Sequence, residues 1–530
     1  MFDGNDPTRP ASLPGFLSEL ARRISDIERS NPAARASFDD GTRTRGYIGA
    51  FVHPDDANPE HGLYLVSSAG AELLLVDDTH VRIGGTQLAF GASASAAGVN
   101  SVSVGYLSSA GGIDAVAVGE TANAAGDYSV VVGSVASGAG LQSSAYGRAA
   151  SAGGAYSSAY GNASTAAGEQ GSAFGRSASA AGDYSVAVGS SASASVGTAS
   201  AVGRLASAGG TSSSAYGKSA NAGGLNSTAV GVSANSAGSY SSAYGVLASA
   251  AGDYSVAAGS SASAAGDYSV AVGSSASAAA IGGSAFGRVA DAVLGYSTAG
   301  GTSASAAGVY SSAYGYLASA GATSSTALGH SASAGGLYSA AVGWAASSAG
   351  DNSCAFGRLA SAAGSVGSAF GHQASAGGNY STALGWLASS GGLYSVAVGK
   401  SAGSAGDYSQ AVGWASSSAG ERSISIGYSS RATTIRGVAV GPNSDVTGIN
   451  GTAVGYVSTV TATGAGAFGA LSDATASNAY AIGYNITAAT ADTVSVNNLE
   501  VQGATIKVSL PTSAGATGTL WSNSGVVTVA

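Results

Sequence analysis

Three groups of chemistry-bearing residues stand out in this 530-residue chain, and their spacing decides what each can do. His53, Asp55, Asp56 and His61, followed by Asp77, Asp78 and His80, form the densest gathering of potential metal ligands. Zinc sites need paired Cys or His ligands, and EF-hands need a loop of fixed ligand order; neither spacing is present. No metal is expected there. The second group is a series of carboxylates, Asp127, Asp183, Asp253, Asp267, Asp351 and Asp407, set apart by multiples of fourteen residues and usually followed by Tyr. Asp beside Gly commonly bonds its local backbone, so turn chemistry explains the series better than a row of acids would. The third group shares the fourteen-residue spacing: Arg148, Arg176, Arg204, Lys218, Arg288, Arg358 and Lys400, joined toward the C-terminal half by His330, Trp344, His372, Trp386, Trp414 and Tyr428. Such a column must face solvent. Exposed aromatic residues could stack on sugar rings or anchor a protein, which makes these six the candidate receptor-binding residues; the competing reading is that the rings cover the edge of the fold or fill a groove between subunits. Catalysis needs a nucleophile or general acid beside a base in a cleft, and no such constellation appears. We expect no enzyme and no cofactor.

The common spacing comes from an internal repeat. Gly occupies residue 91 and every fourteenth residue through 483, giving 29 glycines without insertion or deletion. Residues 259–272, GSSASAAGDYSVAV, are a clean copy. Counting that glycine as position zero, Ala or Ser stands at three, Ala usually at five, Gly usually at seven, Ser commonly at ten, Ala at twelve and an apolar residue at thirteen. The alternation in Ser261–Ala264 and Ser269–Val272 predicts two short strands per repeat, and the glycines at zero and seven fall where tight turns need positive φ. Each repeat is then one coil of an all-β solenoid, and 29 coils stacked at strand spacing predict a rod of roughly 140 Å. Small residues at five and twelve allow only a thin coil. The position-thirteen set, including Val104, Tyr146, Phe174, Leu328 and Ile426, therefore needs a second surface, which lateral association of identical rods would supply. The pattern alone leaves open which of twelve and thirteen faces the coil interior.

Repeats such as GDYSVAVGSSASAAGDYSVAVG resemble the head of trimeric autotransporter adhesins, the YadA-like left-handed parallel β-roll, from Thr86 to about Asn497. The resemblance implies a left-handed roll, a homotrimer and an adhesive role. Those adhesins also carry a signal peptide, a coiled-coil stalk and a membrane β-barrel, none of which is recognisable here. The flanks ELARRISDIERSNPAARASFDDG and LPTSAGATGTLWSNSGVVTVA instead resemble bacteriophage tail proteins. Together these likenesses imply a tail fibre or minor tail protein, exposed on the virion tail.

Composition breaks at about Thr86: the first 85 residues hold 13 acidic and 8 basic residues and six of the eight prolines. We expect a helical anchor at 1–40, a small β domain at 41–85, the roll at 86–497 and a β cap at 498–530. Leu17, Leu20, Ile24 and Ile27 follow 3-4-3 spacing, suited to a short three-helix trimerisation bundle or to an amphipathic helix packed on its own domain. Tyr47–Val52, Leu63–Val66 and Leu73–Val76 read as strands. The cap would cover the open strand edge of the last coil, with a receptor-binding tip as the other use of that segment.

Charge narrows the partners. The chain has a formal net charge of −9 and no basic stripe strong enough for a phosphate backbone, so nucleic acid is not expected. Leu88–Ile113 lacks charge, but its Ser and Gly content and its periodicity suit solenoid coils, so no membrane insertion is expected. The single cysteine, Cys354, permits no internal disulfide. The expected partners are two further copies of the chain, other tail or baseplate proteins through the N-terminal region, and a host-surface glycan or protein. An extracellular bacterial adhesin is the alternative, and a glycan-degrading tailspike a more distant one.

Overall fold

The computed structural model describes residues 87–497 throughout, together with Arg22 and the backbone strands Ala36–Asp39, Thr44–Phe51, Gly62–Ser67, Glu72–Val76, Val81–Arg82, Leu520–Asn523 and Val526–Val529. The chain divides into two units, residues 1–303 and 304–530, each of which is a stack of coils over its described repeats. The first five strands pair antiparallel in chain order, and three of them overlap the segments expected as strands. Leu17, Leu20, Ile24 and Ile27 lie outside the described residues, as does the His53 to His80 cluster of possible ligands.

Every coil contributes one strand to each of two parallel sheets. Positions eleven to thirteen form a three-residue strand, and positions four and five a two-residue strand. In the first unit Val256–Ala258 pairs with Val270–Val272, and Ser249–Ala250 with Ser263–Ala264, each residue meeting its equivalent fourteen residues on. In the second, Ala340–Val342 pairs with Cys354–Phe356, and Ser347–Ser348 with Ser361–Ala362. The shorter strand begins later than the Ser261–Ala264 alternation suggests, because Ser261 itself has φ +56° and belongs to the turn. The solenoid of about 29 coils is thus all parallel β in its coils.

The interior is built from positions three, five, ten and twelve. In one coil these are Ala262, Ala264, Ser269 and Ala271, all with no exposed surface. Position twelve therefore points inward and thirteen outward, which resolves the ambiguity of the pattern. The two facing strands approach so closely that the largest fully buried side chains are only Val131, Val446 and Val460. Each is matched by a missing side chain: a Cβ on Gly138 would lie 2.6 Å from Val131 Cγ2, and one on Gly451 would lie 2.8 Å from Val460 Cγ1 and 2.9 Å from Val446 Cγ1. Volume is conserved within the coil, as close packing requires. Some of the serines in the core are hydrogen-bonded, whereas others, Ser129, Ser185 and Ser269 among them, bury a hydroxyl that has no partner within the chain. Ser348 Oγ lies 2.6 Å from Ser353 Oγ, and at another coil Ser255 Oγ donates to the Gly252 carbonyl at 2.6 Å.

The two turns impose different demands on glycine. At position zero all 29 residues are Gly, with φ between +126° and +150°. That region excludes side chains whatever the space available. At position seven the glycines do not have positive φ, contrary to the expectation from sequence; there the constraint is the next coil, whose carbonyl oxygen would sit 2.1 Å from a Cβ on Gly252. Eight coils carry another residue at seven: Val196, Ala280, Leu294, Ala322, Thr434, Ala462, Ala476 and Thr490. Glycines at seven donate a second, long bond to the next coil, such as Gly252 N to Ala264 O at 3.4 Å. Val196, Ala280, Ala322, Thr434, Ala462 and Ala476 make no such bond. A crowded backbone can shift at the loss of a weak hydrogen bond, whereas a forbidden φ cannot be relaxed.

Left-handed backbone is adopted at positions two and nine, almost always by non-glycine residues with φ of 50° to 60°, Gly282 and Gly464 at nine being the glycines that share it. Left-handed geometry costs roughly 1–2 kcal/mol per residue. It is offset because each such N–H extends the ladder, as Tyr268 N does to Asp253 O at 2.8 Å and Leu387 N to His372 O at 2.9 Å.

Candidate functional site

The turn at positions zero to two thrusts position one outward in every coil, and the basic residues Arg148, Arg176, Arg204, Lys218, Arg288, Arg358 and Lys400 are all exposed there. In the second unit this column is unbroken from Tyr316 to Tyr428. Tyr316 and His330 have ring centroids 5.0 Å apart, and His330 stacks on Trp344 at 6.2 Å. The Arg358 guanidinium covers Trp344 at 4.7 Å, and its Nη1 lies 3.0 Å from His372 Nε2. Arg can only donate, so in this contact the imidazole nitrogen is the acceptor. His372 meets the edge-on Trp386 at 6.1 Å; Lys400 Nζ lies 4.5 Å from Trp386 and 5.1 Å from Trp414; Trp414 meets Tyr428 edge-on at 5.0 Å.

All six candidate receptor residues, His330, Trp344, His372, Trp386, Trp414 and Tyr428, therefore fall in one column, but they do not stand as isolated rings. Arg358 and Lys400 join them, and Tyr316 extends them by one coil. Tyr316 was legible from its place at position one. Trp344 takes His330 from the preceding coil and Arg358 from the following one, and Trp386 and Trp414 share Lys400 between them. Each of the three tryptophans has a cation over its ring, so the column sets rings and cationic groups side by side. Trp344, Trp386 and Trp414 remain 44%, 50% and 52% exposed.

The opposite turn carries the acids. All six aspartates at position eight accept a hydrogen bond from the position-eight N–H of the preceding coil, as Asp253 does from Ser239 at 2.7 Å and Asp407 from Leu393 at 2.8 Å. The partner is one coil away, not in the local turn as the Asp–Gly pattern suggests. Asn379 makes the same bond to Ser365 N at 2.9 Å, so the oxygen matters and the charge does not. Beside these acids runs a second aromatic series at position nine that sequence reasoning passed over. Tyr240, Tyr254 and Tyr268 stack at 4.9 and 5.1 Å, and Tyr380, Tyr394 and Tyr408 at 4.6 and 5.2 Å. The recurrent Asp-Tyr pair is its signal. Among the described residues no three His, Cys, Asp or Glu side chains gather as metal ligands would, and no helix is long and apolar enough to cross a membrane.

With this geometry established, comparison with known families is informative. The YadA head domain repeat matches residues 88–108, 110–136, 166–192, 222–248, 250–276, 320–346, 334–360, 367–388 and 418–444. The matched coils are similar to YadA head repeats. Among solved structures, the crystal structure of the collagen-binding domain of the Yersinia adhesin YadA is similar at 26% sequence identity, covering 31% of this chain and 68% of that one, with a TM-score of 0.19. No curated protein matches the chain. The matched segments include coils of both units and much of the aromatic column, Trp344, Arg358 and Trp386 among them.

Proposed function

We propose that the chain forms a homotrimeric, non-enzymatic fibre for display and adhesion, mounted as a tail fibre or minor tail protein on a phage virion. The observation that carries the trimer is the apolar row at position thirteen. Phe286, Leu328 and Leu384 are 45%, 48% and 47% exposed on a single chain, in a fold whose described interior is almost entirely Ala and Ser and holds no aromatic residue. An apolar stripe this long stays in water only if a partner covers it. Three copies around an axis satisfy each stripe with an equivalent one, and a homotrimer is what the resemblance to trimeric adhesin heads implies. In that assembly the roll is a rigid spacer or host-binding rod, the segment before Thr86 docks on other tail or baseplate proteins, and His330, Trp344, His372, Trp386, Trp414 and Tyr428 contact a host glycan or protein.

The tail assignment is tested by deleting residues 1–40 and by labelling intact particles with an antibody to residues 498–530. Loss of incorporation with an intact roll, and label at the free end of a fibre, are the expected results; retained incorporation contradicts the docking role. A second reading, an extracellular bacterial adhesin or surface structural protein, is favoured by the YadA head repeats themselves, and genes neighbouring this one separate the two. For the column, replacing Trp344, Trp386 and Trp414 together with Ser should lower host adsorption while the melting temperature stays nearly unchanged. A large stability loss with normal adsorption would mean that the rings only pack.

A further inference from the structure

We infer that the Tyr316–Tyr428 edge takes an extended polyanion of sparse charge, a carboxylate-bearing polysaccharide laid along the coils. The inference rests on the reading of this column as the receptor contact and specifies its ligand. Stacking of sugar faces on tryptophan, the usual way a glycan meets an aromatic row, would need open ring faces. Here Arg358 and His330 lie against Trp344, and Lys400 lies between Trp386 and Trp414. What the column offers is rings already paired with cations, and the two cationic side chains themselves are exposed. Among the described residues neither Arg358 nor Lys400 pairs with a carboxylate. Position one holds no acid between residues 304 and 496, and Asp351, Asp407 and Glu421 all stand at position eight, on the other turn. On a chain of net charge −9 this edge is where an anionic polymer can approach.

The spacing selects the kind of polyanion. Arg358 and Lys400 are three coils apart, about 14 Å at strand spacing. A nucleic acid strand presents a phosphate every ~3.4 Å along a duplex axis, far denser than two cations can serve. An acidic polysaccharide places carboxylates between stretches of hydroxyls, which suits cations separated by histidine and ring edges.

The test uses the full-length protein and two forms of one polymer, polygalacturonate and its fully methyl-esterified derivative, with binding followed by interferometry at low and moderate salt. We expect retention on polygalacturonate, weakening as salt rises, and at least tenfold weaker binding to the ester. The double variant R358Q/K400Q, with unchanged melting temperature, should lose about tenfold on polygalacturonate. Equal binding to both forms, an unaffected double variant, or tighter binding to single-stranded DNA than to polygalacturonate would overturn the inference. If R358Q/K400Q adsorbs to host cells normally while the triple Trp→Ser variant does not, the column remains the receptor contact and only its proposed ligand falls. If neither variant changes adsorption, the column reading fails, and the ligand with it.

Discussion

The two sheets of the coil share one interior but present different outer faces. The two-residue strands show position four, occupied by Ser, Thr, Asn, Asp, Arg or Gly in every coil; the three-residue strands show position thirteen, apolar or aromatic everywhere except Gly300. A sheet that faces water on its outer side needs only polar side chains there, so the first face is complete in a single chain. The second is not. It holds phenylalanine stacks such as Phe356 on Phe370 at 5.3 Å, both still 37% exposed. The difference teaches that the coil has an internal face sized for Ala and Ser and an outer face carrying exposed aromatic and aliphatic side chains, which is the face the proposed assembly would cover.

The largest expected effect comes from charging one face and then the other. F356D/F370D should convert the assembly to monomers or prevent folding, since each carboxylate would be buried against an apolar partner. S347D/S361D, on the other face of the same coils, should leave mass and thermal stability unchanged, as Asp291, Asp445 and Asp473 stand at that position naturally. Size-exclusion chromatography with light scattering reads both; equal tolerance of the two pairs would erase the distinction between the faces.

The turns between the sheets sharpen it. Gly385→Ala combines a φ of +136° with a Cβ placed 2.4 Å from the Gly399 carbonyl oxygen. It should cost about 3 kcal/mol or more of local stability. Gly392→Ala, at position seven, should cost about 1 kcal/mol, the weak bond that six of the naturally substituted coils go without. Hydrogen exchange at the flanking coils is the measurement, since long repeat arrays do not melt as two states. A smaller effect is expected at position eight, where Asp267→Ala removes the bond to Asp253 N at 2.9 Å and should cost about 1 kcal/mol. Asp267→Asn should be nearly neutral, on the precedent of Asn379.

The smallest effect lies on the polar face. Arg431 and Asp445 form a bidentate pair at 3.0 and 2.8 Å, with Arg431 53% exposed. The hydrogen bond to Asp445 and its charge hold the guanidinium above its ordinary value, against a small opposing effect of burial. A raised folded-state value adds stability that is fully present below the unfolded value, and for Arg that means at every working pH. Arg431→Ala should therefore cost no more than about 0.5 kcal/mol, without pH dependence and less at high salt.

Much of this was readable from the chain because a solenoid writes its register into its period: the fourteen-residue spacing gave coil, sheet partners and the outward basic column directly. What remained hidden were contacts one coil away. Nothing along the repeat says that Asp253 bonds Ser239 instead of its own turn, that Gly at seven answers a neighbouring carbonyl, or that Val131 is matched by Gly138. The column shows the same limit. Position one placed Trp344 and Arg358 on one edge, but only their stacking at 4.7 Å shows that cations and rings form one surface.

The central claim is that the apolar sheet is a subunit interface, and Cys354 reports on it. This single cysteine stands at position eleven of that sheet, partly covered on one chain and beside Phe356. Sedimentation of the full-length protein together with thiol titration of Cys354 is the most direct measurement. The account predicts a particle of three times 50.0 kDa whose Cys354 reacts slowly until the protein is denatured. A 50.0 kDa particle with a freely reactive Cys354 would contradict it.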